Sequence, residues 1–315
     1  MKRTVLLLAA FLCAAPAQAQ QQCGLKLYAA LSPIADSGGD PTIPVTIGSK
    51  TYRMVFQPDN AMSAIAQRVL DEQDLKSEPI GGAYTFWGDK NVTRKVTLPM
   101  LEIGALRGRV TMLVLHDPPE EGADGVLGGD ILTSVDVEAD PKNGRINLFS
   151  PNHCPGKVVY WASSYARLPM QIDKSGHPYY EMELDGKTLT VSFSWVQQHD
   201  LMSLAVLQQE FGLDVGSPGM TVAEGVNWDG KPMYRYPFKS LSLSGLTIAN
   251  PGILIHSVTE RPLLDQTCNP YIINTFTQCY GKSQLTLGKE TLQHLHFYFA
   301  YKERALYITP ADAHL

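Results

Sequence analysis

Long apolar runs are scarce in this sequence of 315 residues. The stretch from Val5 to Pro16 is well short of the ~20 residues a membrane span requires, and no later one is long enough. Lys2 and Arg3 precede it and Ala17-Gln18-Ala19 follows as a small-x-small cleavage site, so residues 1–19 are expected to be a secretory signal peptide. The mature chain is then exported, periplasmic or secreted, with no integral membrane segment. Blocks of like charge and low-complexity tails are also missing. Without Lys2 and Arg3 the balance is 26 − 2 = 24 basic against 31 acidic residues, a formal −7. No nucleic acid or anionic membrane surface is expected as a partner, because both reward a basic patch.

Cysteine is sparse: five residues, of which Cys13 lies in the leader. None forms a CxxC pair and the histidines are not spaced with them, so no zinc site is expected. His294-x-His296 on a strand would turn both rings to one face, but without a third ligand it reads as an ordinary exposed strand face. Gly38-Gly39 and Gly128-Gly129 lack the Lys-Ser/Thr of a phosphate loop. Ser63 and Ser203 lie in no G-x-S-x-G turn and read as polar residues near a helix start. Neither a metal nor a cofactor is expected.

What is present is an internal echo. Sliding Pro41–Leu75 by 137 positions brings Pro41 onto Pro178, Ile47 onto Leu184, Lys50-Thr51 onto Lys187-Thr188 and Phe56 onto Phe193. Leu70 meets Leu207 without a gap, and one extra residue brings Leu75 to Leu213. A second echo follows at an offset of 160: Leu127-Gly128 meets Leu287-Gly288, Leu132 meets Leu292, Val137 meets Phe297 and Ile146 meets Leu306. Two anchored echoes in the same order imply a duplication, with 160 − 137 = 23 residues of net insertion that Asn250–Lys282 should mostly carry. The domains expected are 20–155 and 156–315, joined through Ser150–Gly156. Export favours disulfides among Cys23, Cys154, Cys268 and Cys279. Three pairings are possible, and repeat logic favours Cys23–Cys154 and Cys268–Cys279.

Within each unit the pattern is mostly β. Ile43, Val45 and Ile47 alternate as a half-buried strand, Tyr52 to Phe56 reads as a buried one, and Ala64 to Leu75 as a short helix. Gly81 to Gly88 reads as an aromatic hairpin in preference to a mobile loop. Further strands are expected at Val92–Leu98, Leu101–Ile103, Val110–Val114, Val135–Glu138 and Arg145–Phe149, the last two joined by Asn143-Gly144.

Buried strand, tight turn, short helix, then Val126-Leu127-Gly128 or Thr286-Leu287-Gly288 and another helical turn: this order resembles one lobe of the aspartic proteases. The likeness is to exported bacterial members with two retropepsin-like lobes in one chain, and it covers most of the mature sequence. It implies an all-β, bilobal, pepsin-like architecture of two β-barrel lobes with short helices, a monomer with covalently linked lobes. In that family each lobe supplies an Asp-Thr-Gly or Asp-Ser-Gly turn. Two carboxylates roughly 3 Å apart share a proton there, activate a water and protonate the leaving amine.

Here those turns read Gln57-Pro58-Asp59-Asn60 and Ser194-Trp195-Val196-Gln197. Gln57 and Ser194 stand at the two aspartate positions, and neither side chain exchanges a proton near physiological or acid pH. Pro58 has no N–H for the interlocking bonds of the family turn. Asp59 and Asp200 are the nearest substitutes but are not equivalent under the repeat, and both read in preference as surface-turn or helix-cap carboxylates, Asp59 as the cap of a helix starting at Ala61. The expectation is a catalytically inactive pseudoprotease that binds an extended peptide or a protein partner in the interlobe cleft, with Tyr84, Phe86, Trp87 and Trp195 as candidate contacts. The alternatives are an active aspartic-type endopeptidase using a displaced acid pair, and a structural envelope protein whose cleft is filled.

Overall fold

The computed structural model of the chain describes residues 24–33, 40–86, 89–172, 177–228, 230–257 and 283–313. Its first half runs β1 (Leu27–Leu31), β2 (Thr42–Ile47), β3 (Lys50–Phe56), β4 (Ala64–Ala66), α1 (Gln67–Glu72), β5 (Glu78–Phe86), β6 (Asp89–Ile103), β7 (Leu106–Leu115), β8 (Gly125–Leu127), α2 (Gly129–Leu132), β9 (Asp136–Asp140) and β10 (Arg145–Phe149). The second half runs β11 (Ala166–Pro169), β12 (Gln171–Ile172), β13 (Pro178–Leu184), β14 (Lys187–Phe193), β15 (Leu201–Ser203), α3 (Leu204–Val206), β16 (Thr221–Trp228), β17 (Lys231–Arg235), β18 (Ser240–Leu243), β19 (Leu246–Ala249), β20 (Leu254–His256), β21 (Leu285–Leu287), α4 (Lys289–Leu292), β22 (Leu295–Ala300) and β23 (Ala305–Pro310). The fold is all-β, as expected. No helix among the described residues is long and apolar enough to cross a membrane.

The first half closes on itself. Strands pair in the order β2-β3-β8-β4-β7-β6, and β6 returns to β2 through Thr46–Glu102 and Ile47–Leu101, making a barrel of six strands with β5 added outside β6. Ile43, Val45 and Ile47 turn inward and are buried, as their alternation requires. At the barrel's centre β3 runs parallel to β8, while β4 lies antiparallel to β8 and parallel to β7.

The second half repeats this arrangement. β14 runs parallel to β21, and β15 lies antiparallel to β21 and parallel to β20. The main difference lies in the long hairpin. The long hairpin β6–β7 is answered by four shorter strands, with Pro237 between β17 and β18 and Pro251 between β19 and β20. A proline cannot donate to the ladder, although β6 itself runs on past Pro99 with a shift in register. Residues 257–284 separate β20 from β21 where only residues 116–124 separate β7 from β8, a difference of 28 − 9 = 19 of the 23 inserted residues.

A third sheet is built by both halves, in the order β1-β10-β9-β22-β23-β11. Its middle pair sets Phe297 against Ala139, Tyr298 against Glu138 and Phe299 against Val137. The offset of 160 maps Val137, Glu138 and Ala139 onto Phe297, Tyr298 and Phe299, so a pseudo-two-fold axis passes through the Glu138–Tyr298 pair. The edges obey it too: Leu31 pairs with Ile146 on one side, and Leu168 with Leu306 on the other.

Two sequence expectations need correction, and β1, an edge strand of the shared sheet, was not among the expected strands. The helix expected over Ala64–Leu75 is confined to Gln67–Glu72, because Ala64-Ile65-Ala66 is a wholly buried strand held by β7 and β8 on its two sides. That tertiary pairing overrides the helical preference of alanine. Asp59 caps no helix, since α1 begins eight residues later. The aromatic segment is a hairpin, β5 against β6, with Tyr84 opposite Val92 and Phe86 opposite Asp89.

Candidate functional site

The two echoed turns occupy equivalent places. Each leaves the end of its central strand, with the Gln57 N–H donating to the Leu127 carbonyl (3.1 Å) and the Ser194 N–H to the Leu287 carbonyl (2.8 Å). Beneath each lies the glycine of the apolar-Gly segment. A Cβ on Gly128 would stand 2.7 Å from the Met62 carbonyl carbon and 2.8 Å from the Asn60 oxygen. On Gly288 it would stand 2.5 Å from the His199 oxygen and 2.8 Å from the Gln197 oxygen. The turn backbone therefore passes so close that only glycine fits. The Asn60 and Gln197 carbonyls accept the N–H of Gly129 (2.6 Å) and Lys289 (2.8 Å), the first residues of α2 and α4.

The residue after each turn shows that the offset of 137 has structural meaning. Ser63 Oγ accepts the Gly128 N–H at 2.8 Å and donates to Asp130 at 2.5 Å. Asp200 Oδ1 accepts the Gly288 N–H at 2.8 Å, and its Oδ2 accepts from the Thr291 hydroxyl at 2.6 Å. Ser63 and Asp200 thus hold the same glycine N–H in the two halves, with different side chains. Asp200 is buried while Asp130 lies at the surface, and desolvation raises the pKa of both against the opposing effect of their hydrogen bonds. Ser203 caps α3, accepting the Val206 N–H at 3.2 Å.

Gln57 and Ser194 are both buried. The Ser194 oxygen accepts the Gln197 N–H at 3.3 Å, and Gln57 Oε1 has no hydrogen-bond partner in the protein. Asp59 faces the opposite turn across the boundary between halves. Burial pushes its carboxyl up to about 6, against the opposing pull of His177, the Ser194 hydroxyl and the Trp195 backbone N–H. Asp200 is bonded to its own glycine N–H and to Thr291 of α4.

Trp195 is a packing residue. It is buried, with its ring 5.5 Å from Phe56 of the first half and 5.8 and 6.1 Å from Phe297 and Phe299 of the shared sheet, all edge-on. Tyr84 and Phe86 lie on the hairpin strand β5, whose backbone alone is described there, and Trp87 lies outside the described residues. Of the four cysteines after the leader, Cys23, Cys268 and Cys279 lie outside the described residues, so neither expected pairing is described.

A second polar cluster was missed by sequence reasoning. Asp136, Glu138 and Asp140 alternate along β9 on the face opposite Val137 and Ala139, and all are buried. Glu138 accepts from His296 (2.9 Å), Tyr160 (2.6 Å) and Asn147 (2.9 Å). Burial pushes its carboxyl up, but those bonds outweigh it and hold the pKa low. His153 lies 2.6 Å from Asp136, and Trp161 stacks on His296 at 3.9 Å. The His294-x-His296 reading is therefore corrected. His296 is buried and paired, His294 is exposed before the strand begins, and the described residues hold no group of three metal-binding side chains. Period-2 acidic residues on an otherwise apolar strand, with histidines near both ends of the second unit, were the available signal. The cluster fastens residues 153–161 over the shared sheet.

No family model matches this chain, and no curated protein sequence matches it.

Proposed function

We propose that the chain is a bilobal, pepsin-like relative of the aspartic proteases, exported through residues 1–19, that binds an extended polypeptide without cleaving it. One observation carries the loss of catalysis: Gln57 and Ser194 occupy the equivalent strand-end positions where the acid pair would stand. Asp59 brings a carboxyl to the facing turn, and a single carboxyl cannot act as both base and acid of a shared-proton pair. The repeated barrel order, the sheet shared by both halves and the glycine under each turn support the pepsin-like reading. Binding is supported by the sheet ends. Among the described residues β5 and β16 each terminate their sheets, leaving one backbone edge for strand addition.

A second reading, a structural protein with a filled centre, is favoured by Trp195, whose indole occupies the junction against Phe56, Phe297 and Phe299. The experiment is incubation of the mature protein with an unstructured protein substrate from acid to neutral pH, beside a binding screen of extended peptides. No cleavage with saturable peptide binding is expected. Cleavage that disappears in Asp59→Ala would restore the displaced-acid mechanism, and absence of any peptide binding would leave the filled-centre reading.

A further inference from the structure

Three buried polar atoms near the junction lack a hydrogen-bond partner in the protein: Asp59 Oδ1, the Tyr180 hydroxyl and the Tyr301 hydroxyl. All three residues line one small cavity of about 10 Å³, lined otherwise by Pro58, Pro178, Phe193, Trp195 and Phe299. Their elements come from both halves. Asp59 lies in the first turn, Tyr180 on β13, and Tyr301 just past the end of β22. The groups also sense one another, since the Asp59 charge raises the Tyr301 pKa and Tyr301 raises that of Tyr180, each after burial as the larger cause. A buried polar group left unpaired costs more than a hydrogen bond gains, so three around one space demand an explanation.

The geometry points to a buried water site at the junction, held by the Asp59 carboxyl and the Tyr180 and Tyr301 hydroxyls, that ties the two halves together. The volume is at the lower bound for one water and too small for a side chain of any bound peptide. The hydrogen-bonding capacities also match. The two phenols stay protonated and donate to the two lone pairs of the water oxygen, and the water donates to Asp59 Oδ1. The other lining residues are Pro58, Pro178, Phe193, Trp195 and Phe299. The water replaces, at the same junction, the cross-lobe connection that two hydroxyl-bearing turns make in an aspartic protease. This site stands whether or not the protein binds a peptide.

The test uses Tyr180→Phe, Tyr301→Phe and the double variant of the mature protein, with thermal unfolding and high-resolution crystallography of the parent and variants. Phenylalanine preserves the ring packing, so the variants report on the hydroxyls. Expected are an ordered solvent peak within hydrogen-bonding distance of all three groups in the parent, its loss in the double variant, and a lower Tm for each single variant. The double variant should lose less than the sum of the singles, because both hydroxyls act through the same water. No solvent peak in the parent overturns the proposal. So does an unchanged or raised Tm in either single variant, the result expected if the hydroxyl were simply an unpaired group whose removal relieves a cost.

Discussion

Asp59 is the residue whose environment departs furthest from what its neighbours in sequence suggest. An aspartate after a proline in a tight turn is ordinarily solvated, yet here burial raises its carboxyl to about 6 in the folded chain. The unfolded value is about 3.9. A carboxyl with a raised folded pKa binds its proton more tightly in the native state. Its stabilising contribution is therefore full below pH ~4, falls as pH rises to about 6, and is gone above it. The difference amounts to about 3 kcal/mol at neutral pH, an order-of-magnitude figure. Asp59→Asn should thus be more stable than the parent at pH ~7 and no more stable at pH ~4. Urea unfolding midpoints at several pH values check this, and the parent–variant difference removes the similar slopes of Asp136 and Asp200, whose carboxyls are also raised.

Asp200 makes the opposite case at the same scale. Both its oxygens are engaged, one by the Gly288 N–H and one by Thr291, so its role is to brace α4 beneath the second turn. Asp200→Ala leaves a buried N–H and a buried hydroxyl unpaired and should cost roughly 3 kcal/mol, measured by equilibrium unfolding. The sequence showed that Asp200 aligns with Ser63, but it could not show what they share. That common partner is a backbone N–H of a glycine 65 residues later in one half and 88 in the other.

At the scale of elements, the duplicated units are carried by strand pairing around two glycines. Gly128→Ala or Gly288→Ala would drive a Cβ into turn backbone and not into a flexible side chain, so each should destabilise by more than about 3 kcal/mol or abolish soluble expression. Gly108→Ala on β7 is the control, since its Cβ would meet nothing within 4 Å, and it should leave the unfolding midpoint nearly unchanged. Strands with clear alternation, such as Ile43–Ile47, and the hairpin around Tyr84 were legible because period 2 is written directly in the residues. The short strand Ala64–Ala66 was not. Its residues suit a helix, and only its place between β7 and β8 makes it extended. β1 was hidden for a related reason, because it is an edge strand of mixed composition in a sheet that neither half forms alone.

For the whole molecule, the junction rests on the pairing of β9 with β22 and on the aromatic cluster around Trp195. Trp195→Ala should create a cavity between Phe56 and the shared sheet and cost about 3–5 kcal/mol, read from denaturant unfolding. If the indole serves only to fill the centre, the same variant gains no peptide binding. If it blocks a cleft that survives from a protease ancestor, binding appears or tightens, which a fluorescence titration with labelled peptides would detect.

The sequence by itself determined the duplication, the all-β character and the absence of acids at the two echoed positions. Repeats, period 2 and residue identity at Gln57 and Ser194 are all local or one-dimensional properties. Tertiary structure alone decided that Asp59 of one half faces Ser194 and Trp195 of the other, that Trp195 is packed against Phe56, and that Tyr180 and Tyr301 join Asp59 around one small cavity. These groups stand more than 100 residues apart in sequence, and their meeting follows from a pseudo-two-fold axis that exists only once β9 and β22 have paired.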